Sequence, residues 1–254
     1  MSPSFKDLFS KQSTSYAKFR PDYPESIFEF ASSLPKTATP ARERVAWDCA
    51  TGSGQAAKGL ASRFSRVIAT DASQAQLSQA AKSPAIEYRV APAEASGLAD
   101  RSVDLVNVAQ ALHWFRILEF FAEARRVLRP GGAILVFGYE RSTIAPSIDP
   151  IVRRYTREIV GPYWAPEVKL VDEHYRTIEF PFDEIPSPQL EMFKEWTLDE
   201  LEGYLDSWSS TQKFIELHGR HPLEEVDAEL RSAWGDPGVR KPVRFELFSR
   251  AGRI

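Results

Sequence analysis

Short apolar runs alternate with amphipathic stretches between positions 44 and 139 of the chain. Five runs predict β-strands, namely "RVAWDC", "RVIATD", "IEYRV", "VDLVNVA" and "AILVFGY". Apolar residues are too frequent in them for a sheet with one solvated face, so we expect both faces to be covered. Helices are predicted between them in "GQAAKGLASRF", "SQAQLSQAAK" and "FRILEFFAEARRVL". This alternation predicts an α/β fold with a mostly parallel sheet and helices on both faces.

Two of these helices carry local signals. Ser73 precedes the second helix and is its expected N-cap. The third is amphipathic: its charged residues, Glu123 among them, are expected away from the apolar face, which groups Ile117, Phe121, Ala124 and Leu128. After it, "RPGG" predicts a turn into the fifth strand.

The regular alternation ends after position 140. Prolines divide the following chain into short, often helical and aromatic pieces: Pro146, Pro150, Pro162, Pro166, Pro181, Pro186 and Pro188. One of these pieces, "TLDELEGYLDSW", begins with a capping box formed by Thr197 and Glu200. Near the end, "VRFELFSR" alternates like a strand and is expected to close the sheet at an edge.

Composition narrows the class of protein. The 254 residues are 43% hydrophobic and 26% charged, which is ordinary for a globular protein. The net charge is −3 and the basic residues are dispersed, which argues against nucleic-acid and membrane partners. Neither a membrane-span-length apolar run nor a secretory signal is present, and Cys49 is the only cysteine. We therefore expect a cytoplasmic protein without a disulfide or a cysteine-rich metal site.

The stretch "VAWDCATGSGQ" places Gly52 and Gly54 directly after the first strand. Ligands of parallel sheets bind at this edge, and a dinucleotide fingerprint would accept Ala57 as its third small residue. Asp48 would be an awkward neighbour for a diphosphate but suits a ligand that is cationic at that end. Asp71, after the second strand, is placed to bind a ribose. S-adenosylmethionine meets both conditions, and a nicotinamide dinucleotide remains the alternative.

Four segments resemble the motifs of the class I S-adenosylmethionine-dependent methyltransferases, in the same order. They are "WDCATGSGQ", "ATDAS", "RVAPAEASGLADRSVDLV" and "EARRVLRPGGAILV", within residues 44–138. The resemblance implies a Rossmann-like fold, a seven-stranded sheet with a helical lid insertion, and S-adenosylmethionine converted to S-adenosylhomocysteine. One departure is Ala50, where many relatives have glycine.

Two further stretches, "YAKFRPDYP" and "QALHWF", resemble small-molecule methyltransferases similar to trans-aconitate methyltransferase. This resemblance implies one domain, in which 1–40 covers the cofactor, 41–140 binds it, 141–240 forms a lid with an edge strand, and 241–254 is the last strand. The implied residues at the methionine end are Tyr16, Arg20, Asp48, Ala50, Gly52 and Gly54. Those at the ribose and adenine are Asp71, Ala72, Ser73, Ala93 and Glu94. Gln110 is expected to close the pocket.

Other candidate residues have competing interpretations. His113 is the one histidine considered for catalysis, against a merely packed histidine in "LHWF". His218 and His221 have a spacing that suits a metal, but no acid or cysteine converges on them, so no metal site is expected. Lid aromatics are predicted to form its core and part of an acceptor pocket: Tyr155, Tyr163, Trp164, Trp196 and Trp208.

The predicted reaction is in-line methyl transfer to a small molecule, with a carboxylic acid as first choice. A carboxylate needs no base at neutral pH, so the protein must chiefly orient it and exclude water. Four unranked lid-region arginines are candidates to receive it: Arg141, Arg153, Arg154 and Arg240. The alternatives are a non-catalytic S-adenosylmethionine-binding protein and an NAD(P)-dependent oxidoreductase. A monomer or a homodimer is expected.

Overall fold

The computed structural model describes residues 22–254, and its first five strands are parallel. They are β1 (Val45–Cys49), β2 (Arg66–Asp71), β3 (Ile86–Val90), β4 (Val103–Ala109) and β5 (Leu128–Tyr139). Their order in the sheet is β3-β2-β1-β4-β5, so β1 lies between β2 and β4. The predicted mostly parallel sheet is confirmed, and the carboxyl ends of these strands meet at one edge.

The last strand lies inside the sheet, and the prediction that it closes an edge is wrong. β8 (Lys241–Arg253) pairs antiparallel with β5 on one side and with β6 (Asp183–Ile185) and β7 (Leu190–Trp196) on the other. β8 is long enough for β6 and β7 to occupy successive parts of its outer edge. The prolines at 186 and 188 separate β6 from β7. These two strands share one position beside β8, so the sheet has the seven expected positions but eight strands in residues 22–254.

Helices cover both faces of the parallel part. They are α1 (Glu25–Ser33), α2 (Gln55–Leu60), α3 (Gln74–Leu77) and α4 (Ile117–Val127). Leu105 of β4 belongs to the same buried cluster as α1 and α2, whereas its neighbour Val106 belongs to the cluster that contains α4. Because successive strand residues point to opposite faces, one strand supports both clusters. Helices on both faces are confirmed.

Helix α1 packs closely on α2. A Cβ on Gly59 would lie 2.1 Å from the ring of Phe28, which is 3% exposed. Only glycine therefore permits this approach between the two helices. The described part of the predicted 1–40 cover thus includes a helix that is part of the core.

Helix α4 buries Phe121 and Ala124 as predicted, and it also buries residues that were not predicted to face the core. Phe120 is fully buried, and Glu123 is 8% exposed. Glu123 accepts hydrogen bonds from the backbone N–H of Ser96 (2.8 Å) and from Arg126 (2.8 Å). The charged residue is tolerated because its carboxylate is fully engaged, and these bonds lower its pKa despite the opposing effect of burial.

The "RPGG" stretch lies within β5 and not in a separate turn. The pairing between β4 and β5 shifts register between Val103 and Leu105, so the stretch bulges out of the ladder. Its exposed backbone is not left unpaired, since the carbonyl of Gly131 accepts from the backbone N–H of Lys36 at 2.8 Å. The bulge therefore anchors the segment that follows α1.

The lid contains short helices and turns. Its α-helices are α5 (Asp149–Arg154), α6 (Lys169–Asp172), α7 (Leu198–Asp206), α8 (Ser209–His218) and α9 (Asp227–Trp234). A π-helical turn, Tyr155–Ile159, continues α5. The capping box predicted at Thr197 and Glu200 is present, with both of its hydrogen bonds. None of the helices in residues 22–254 is long and apolar enough to cross a bilayer.

Candidate active site

The loop between β1 and α2 coils through left-handed backbone conformations. Ala50, Gly52 and Gly54 have φ values of 54°, 57° and 85°. The Thr51 N–H donates to the carbonyl of Thr70 at 2.9 Å and ties the loop to β2. Ala50 therefore occupies a conformation that favours glycine, which accounts for the glycine that many relatives have there.

The two glycines face different surroundings. A Cβ on Gly54 would lie 2.5 Å from the hydroxyl of Tyr88, which reaches over from β3. A Cβ on Gly52 would meet nothing nearer than Gln76 Oε1 at 3.9 Å. Gly54 is thus required by packing against the protein, whereas the face above Gly52 leaves room for a ligand.

Asp71 joins the glycine loop to the turn after β2. Its Oδ2 accepts from the Gly52 N–H at 2.9 Å, and its Oδ1 accepts from the Ser73 N–H at 2.8 Å. Ser73 caps α3 as predicted, with its hydroxyl accepting from the Gln76 N–H, and Ala72 is half-buried between them. A carboxylate has further acceptor capacity beyond two bonds, so Asp71 can also bind a ribose hydroxyl.

Asp48 lies beneath the loop and is fully buried. It accepts hydrogen bonds from the Thr51 hydroxyl and, at 2.7 Å, from the amide of Asn107 on β4. Burial raises its pKa to about 6, although both hydrogen bonds act in the opposite direction. This geometry does not support the expectation that the Asp48 side chain lines the methionine end. Its role here is to hold Thr51 and to place a charge below the loop.

Ala93 and Glu94 follow β3, as the resemblance implied, but both contact other protein groups. Ala93 is 9% exposed and belongs to the apolar cluster that contains Trp47. Glu94 is half-buried and its Oε1 accepts from the Arg116 N–H at 2.8 Å. A direct contact between either residue and an adenine stays a prediction. Tyr16 and Arg20 lie outside the described residues.

Gln110 directly follows β4 and is hydrogen-bonded to β5. It has a φ of 55° at the end of β4, and its N–H donates to the carbonyl of Phe137 at 2.8 Å. Its side-chain Oε1 accepts from the Tyr139 N–H at 3.0 Å. The residue is therefore fixed by β5, and it lines the cavity described next.

A cavity of about 870 Å³ lies between the ends of β4 and β5 and the lid. Within residues 22–254, Gln110 is the only predicted cofactor residue that lines this cavity, and the glycine loop does not line it. Its wall contains the aromatic rings of Trp164 and Trp208 and the hydroxyl-bearing Ser142, which is 8% exposed. The Ser142 hydroxyl and the Trp164 indole N–H have no hydrogen-bond partner within residues 22–254. Two buried donors thus remain to be satisfied at this wall.

The four candidate arginines differ in their ion pairs. Three of them are paired: Arg141 with Asp172 at 3.2 Å, Arg154 with Glu229 at 2.9 Å and Arg240 with Glu200 at 3.0 Å. Arg153 lines the cavity, and no ion pair to it occurs in the described chain. Arg157, one helical turn later, shares both properties. The acids at the wall have partners of their own: Glu140 with His174, Asp172 with Arg141, and Asp149 with the N–H groups of Ile144 and Ala145.

His113 lies at the cavity wall, in a short turn after β4, and is 6% exposed. Its Nδ1 is 2.9 Å from the hydroxyl of Tyr175, and its ring is 4.5 Å from that of Trp114. Burial lowers the pKa of His113 to about 3, so the imidazole is neutral and a weak base at neutral pH. The residue faces the site but is unsuited to general-base catalysis.

The remaining histidines and lid aromatics have structural partners. His218 contacts the Tyr163 hydroxyl at 2.6 Å, while His221 contacts Asp206 at 2.9 Å, so the two point to different groups. Tyr155 and Trp196 are buried in the core and are not among the lining residues, whereas Trp164 and Trp208 line the cavity. The lid aromatics thus divide between core and wall.

Sequence reasoning missed several residues at the site. Thr51 and Asn107 hold Asp48, Tyr88 covers Gly54, and Tyr175 contacts His113. Arg157 was detectable, since it stands four residues after Arg153 and falls on the same helical face. Tyr175 was not, because 62 residues separate it from the histidine that it contacts.

Comparisons with known proteins agree with this arrangement. Residues 47–136 match the family model described as a methyltransferase domain. A protein of Dictyostelium discoideum named as a methyltransferase is 34% identical over 233 residues, covering 91% of this chain and 87% of that protein. The malonyl-[acyl-carrier protein] O-methyltransferase of a Marinomonas species is 28% identical over 211 residues, covering 80% of this chain and 70% of that protein.

A solved structure described as a type II methyltransferase from Anaeromyxobacter dehalogenans superimposes with a TM-score of 0.84 and is 41% identical, covering 92% of this chain and 98% of that one. The fold thus agrees with that of the relatives, and the nicotinamide alternative falls. The chain belongs to the class I S-adenosylmethionine-dependent methyltransferases.

Proposed function

We propose that this methyltransferase transfers the methyl group of S-adenosylmethionine to an oxygen of a small carboxylic acid. The observation that carries the proposal is the pair of guanidinium groups, Arg153 and Arg157, at a cavity whose acids are already engaged. Guanidinium groups bind carboxylates with strong charge-assisted hydrogen bonds. Two guanidinium groups without an ion pair in residues 22–254 favour an anionic acceptor over a neutral or cationic one.

The cofactor fits the other half of the site. The open face above Gly52 accepts a ligand without meeting a Cβ, and the Asp71 carboxylate at its rim retains capacity for a ribose diol. Asp48 supplies a negative charge below the loop, near the expected position of the cationic methionine end. Tyr16, Arg20, Ala93 and Glu94 remain proposed cofactor contacts.

When bound, S-adenosylmethionine supplies an electrophilic methyl group, and a carboxylate oxygen forms the new C–O bond as the C–S bond breaks and its electron pair stays on sulfur. No proton is released, so no base is required. The chain's contribution is to hold the carboxylate in line and to exclude water. A neutral His113 with a pKa of about 3 is consistent with a reaction that needs no base.

A relative supports this assignment. The Marinomonas protein is named as an O-methyltransferase, which supports oxygen as the methylated atom. We also propose a cytoplasmic enzyme, a monomer or a homodimer, that acts on a small molecule, as the resemblance of "YAKFRPDYP" and "QALHWF" implies.

The test is turnover on a panel of small acids, each paired with its amide and its methyl ester. We expect S-adenosylhomocysteine to form with at least one free acid, together with a base-labile ester, and not with the matched amide. Methylation of alcohols or amines with no acid turned over would contradict the carboxylate assignment. Binding of S-adenosylmethionine without consumption across a broad panel would instead favour a non-catalytic binding protein.

A further inference from the structure

The hydroxyl of Tyr175 and the ring of His113 form a buried pair at the cavity. Tyr175 is fully buried, and its hydroxyl lies 2.9 Å from the Nδ1 of His113. The rings lie nearly parallel, with an interplanar angle of 23°. Tyr175 reaches the site from the turn after α6, in the lid, whereas His113 follows β4.

The chemistry of the pair decides which atom carries the proton. Burial raises the pKa of Tyr175, so the phenol keeps its proton, and a buried hydroxyl proton needs an acceptor. The Nδ1 of His113 is that acceptor only if it carries no hydrogen. Since the imidazole is neutral, its single hydrogen must then be on Nε2. Within residues 22–254 the ring of His113 is hydrogen-bonded at Nδ1 and not at Nε2, and His113 lines the cavity.

The backbone that delivers Tyr175 is strained. His174 and Tyr175 have φ values of 53° and 57°, a rare left-handed pair of residues other than glycine. The conformation is held by Arg250, whose guanidinium donates to the carbonyls of Tyr175 (2.8 Å) and Ile178 (2.7 Å). The His174 ring also stacks on Phe248, with centroids 4.7 Å apart. Such strain persists where surrounding contacts require it, and it is common at functional sites.

We propose that Tyr175 is a positioning residue that fixes His113 in the Nε2–H tautomer, so that His113 presents a hydrogen-bond donor to the methyl acceptor. Resting on the proposed function, this assigns His113 to the carboxylate oxygen that is not methylated. A donor there orients the nucleophilic oxygen without adding charge or taking a proton. His113 thereby acts as a hydrogen-bond donor instead of a base.

The test is two-dimensional ¹H–¹⁵N NMR of the histidine rings in the substrate-free protein, with His113 assigned by the H113Q variant. We expect the wild-type spectrum to show a neutral His113 with hydrogen on Nε2 at neutral pH. In Y175F the Nδ1 atom loses its donor, so the spectrum should shift towards the Nδ1–H form or a mixture. Y155F is the matched control, because Tyr155 is also a fully buried phenol, but it contacts Thr211 at 2.8 Å, away from the cavity wall.

Kinetics on an identified acceptor complete the test. We expect kcat of Y175F to fall about tenfold through lost orientation, with the affinity for S-adenosylhomocysteine unchanged and Y155F close to wild type. A wild-type His113 with hydrogen on Nδ1 would overturn the proposal, even if Y175F does not fold. An unchanged tautomer in a folded Y175F would also overturn it. The spectra require no substrate, so they remain decisive if no carboxylic acid proves to be the acceptor.

Discussion

The glycine loop and the lid cavity lie at the same edge of the sheet but are built differently. The loop is positioned by backbone: three left-handed residues, the Gly52 N–H that donates to Asp71 and the Thr51 N–H that donates to the carbonyl of Thr70. The cavity is formed by side chains from β4, β5 and the lid, including Arg153 and Arg157. A site made by local backbone geometry has a local sequence motif. A site made by distant side chains has none, and it is free to vary in substrate while the cofactor stays the same.

The largest expected effect comes from breaking the backbone of the loop with G54A. The new Cβ would lie 2.5 Å from the Tyr88 hydroxyl at a φ of 85°. We expect the free energy of unfolding to fall by about 3 kcal/mol and S-adenosylhomocysteine to bind at least about tenfold more weakly. The control is G97A, with a φ of 70° and nothing within 4 Å of its Cβ, which should show only the smaller conformational cost. Equal losses in both variants, by denaturation and calorimetry, would refute the packing argument.

The second prediction concerns the charge of Asp48 beneath the glycine loop, and the variant that tests it is D48N. Between its ordinary pKa of 3.8 and about 6, the folded protein holds more protons on Asp48 than the unfolded chain does. Its contribution to stability is therefore lost as the pH rises through that window. D48N avoids this loss, and we expect it to be about 2 kcal/mol more stable than wild type at pH 8 but not at pH 4. A flipped Asn107 can accept from the new amide through its Oδ1, which lacks a partner in residues 22–254.

The same substitution should weaken binding of the cofactor. Wild-type affinity for S-adenosylmethionine is expected to decrease as the pH falls from 7 to 5, because protonation removes the charge beneath the loop. D48N should bind severalfold more weakly at pH 7 and show a flat profile over that range. Calorimetry over this pH range measures the affinity of both proteins. A wild-type profile as flat as that of D48N would show that the charge of Asp48 does not contribute to cofactor binding.

The third prediction concerns acceptor binding in the lid cavity, and the variants that test it are R153A and R157A. Each removes a guanidinium that has no ion pair among residues 22–254, and we expect the acceptor KM to rise about tenfold. The affinity for S-adenosylhomocysteine should not change. R154A is the matched control, because its neighbouring guanidinium pairs with Glu229 and the carbonyl of Glu225. A KM change in R154A as large as in the others would point to a general charge effect.

The smallest expected effect concerns the backbone strain at Ala50 in the glycine loop, and the variant that tests it is A50G. Glycine relieves the left-handed φ of 54° at this position but increases the freedom of the unfolded chain. We expect a net stabilisation of about 0.5 kcal/mol with the cofactor affinity preserved. Chemical denaturation measures the change, and a clear destabilisation would show that the alanine methyl group has a packing role.

This comparison also explains what the sequence could predict. β2 and β3 have the predicted bounds, and the Ser73 cap and the capping box are confirmed, because each depends on residues a few positions apart. The place of β8 inside the sheet was not predictable from its alternation. Alternation specifies which residues face the core, but not which strands are the neighbours.

Long-range pairing also explains what the sequence left open at the site. Asp48 was expected at the ligand, and Asn107 across the neighbouring strand helps to hold it beneath the loop. Glu123 was placed outside the core, because its bond to Ser96 joins residues 27 positions apart. The four arginines were alike as sequence and differ only through Asp172, Glu229 and Glu200, which the fold brings to three of them.

The central claim is that cofactor and acceptor occupy these two separate halves, and a crystal structure with S-adenosylhomocysteine tests it most directly. The account predicts the ligand over Gly52, with a ribose hydroxyl bonded to Asp71 and with the cavity beside Arg153 still open. A ligand bound in the lid cavity, or one without contact to Asp71, would contradict it.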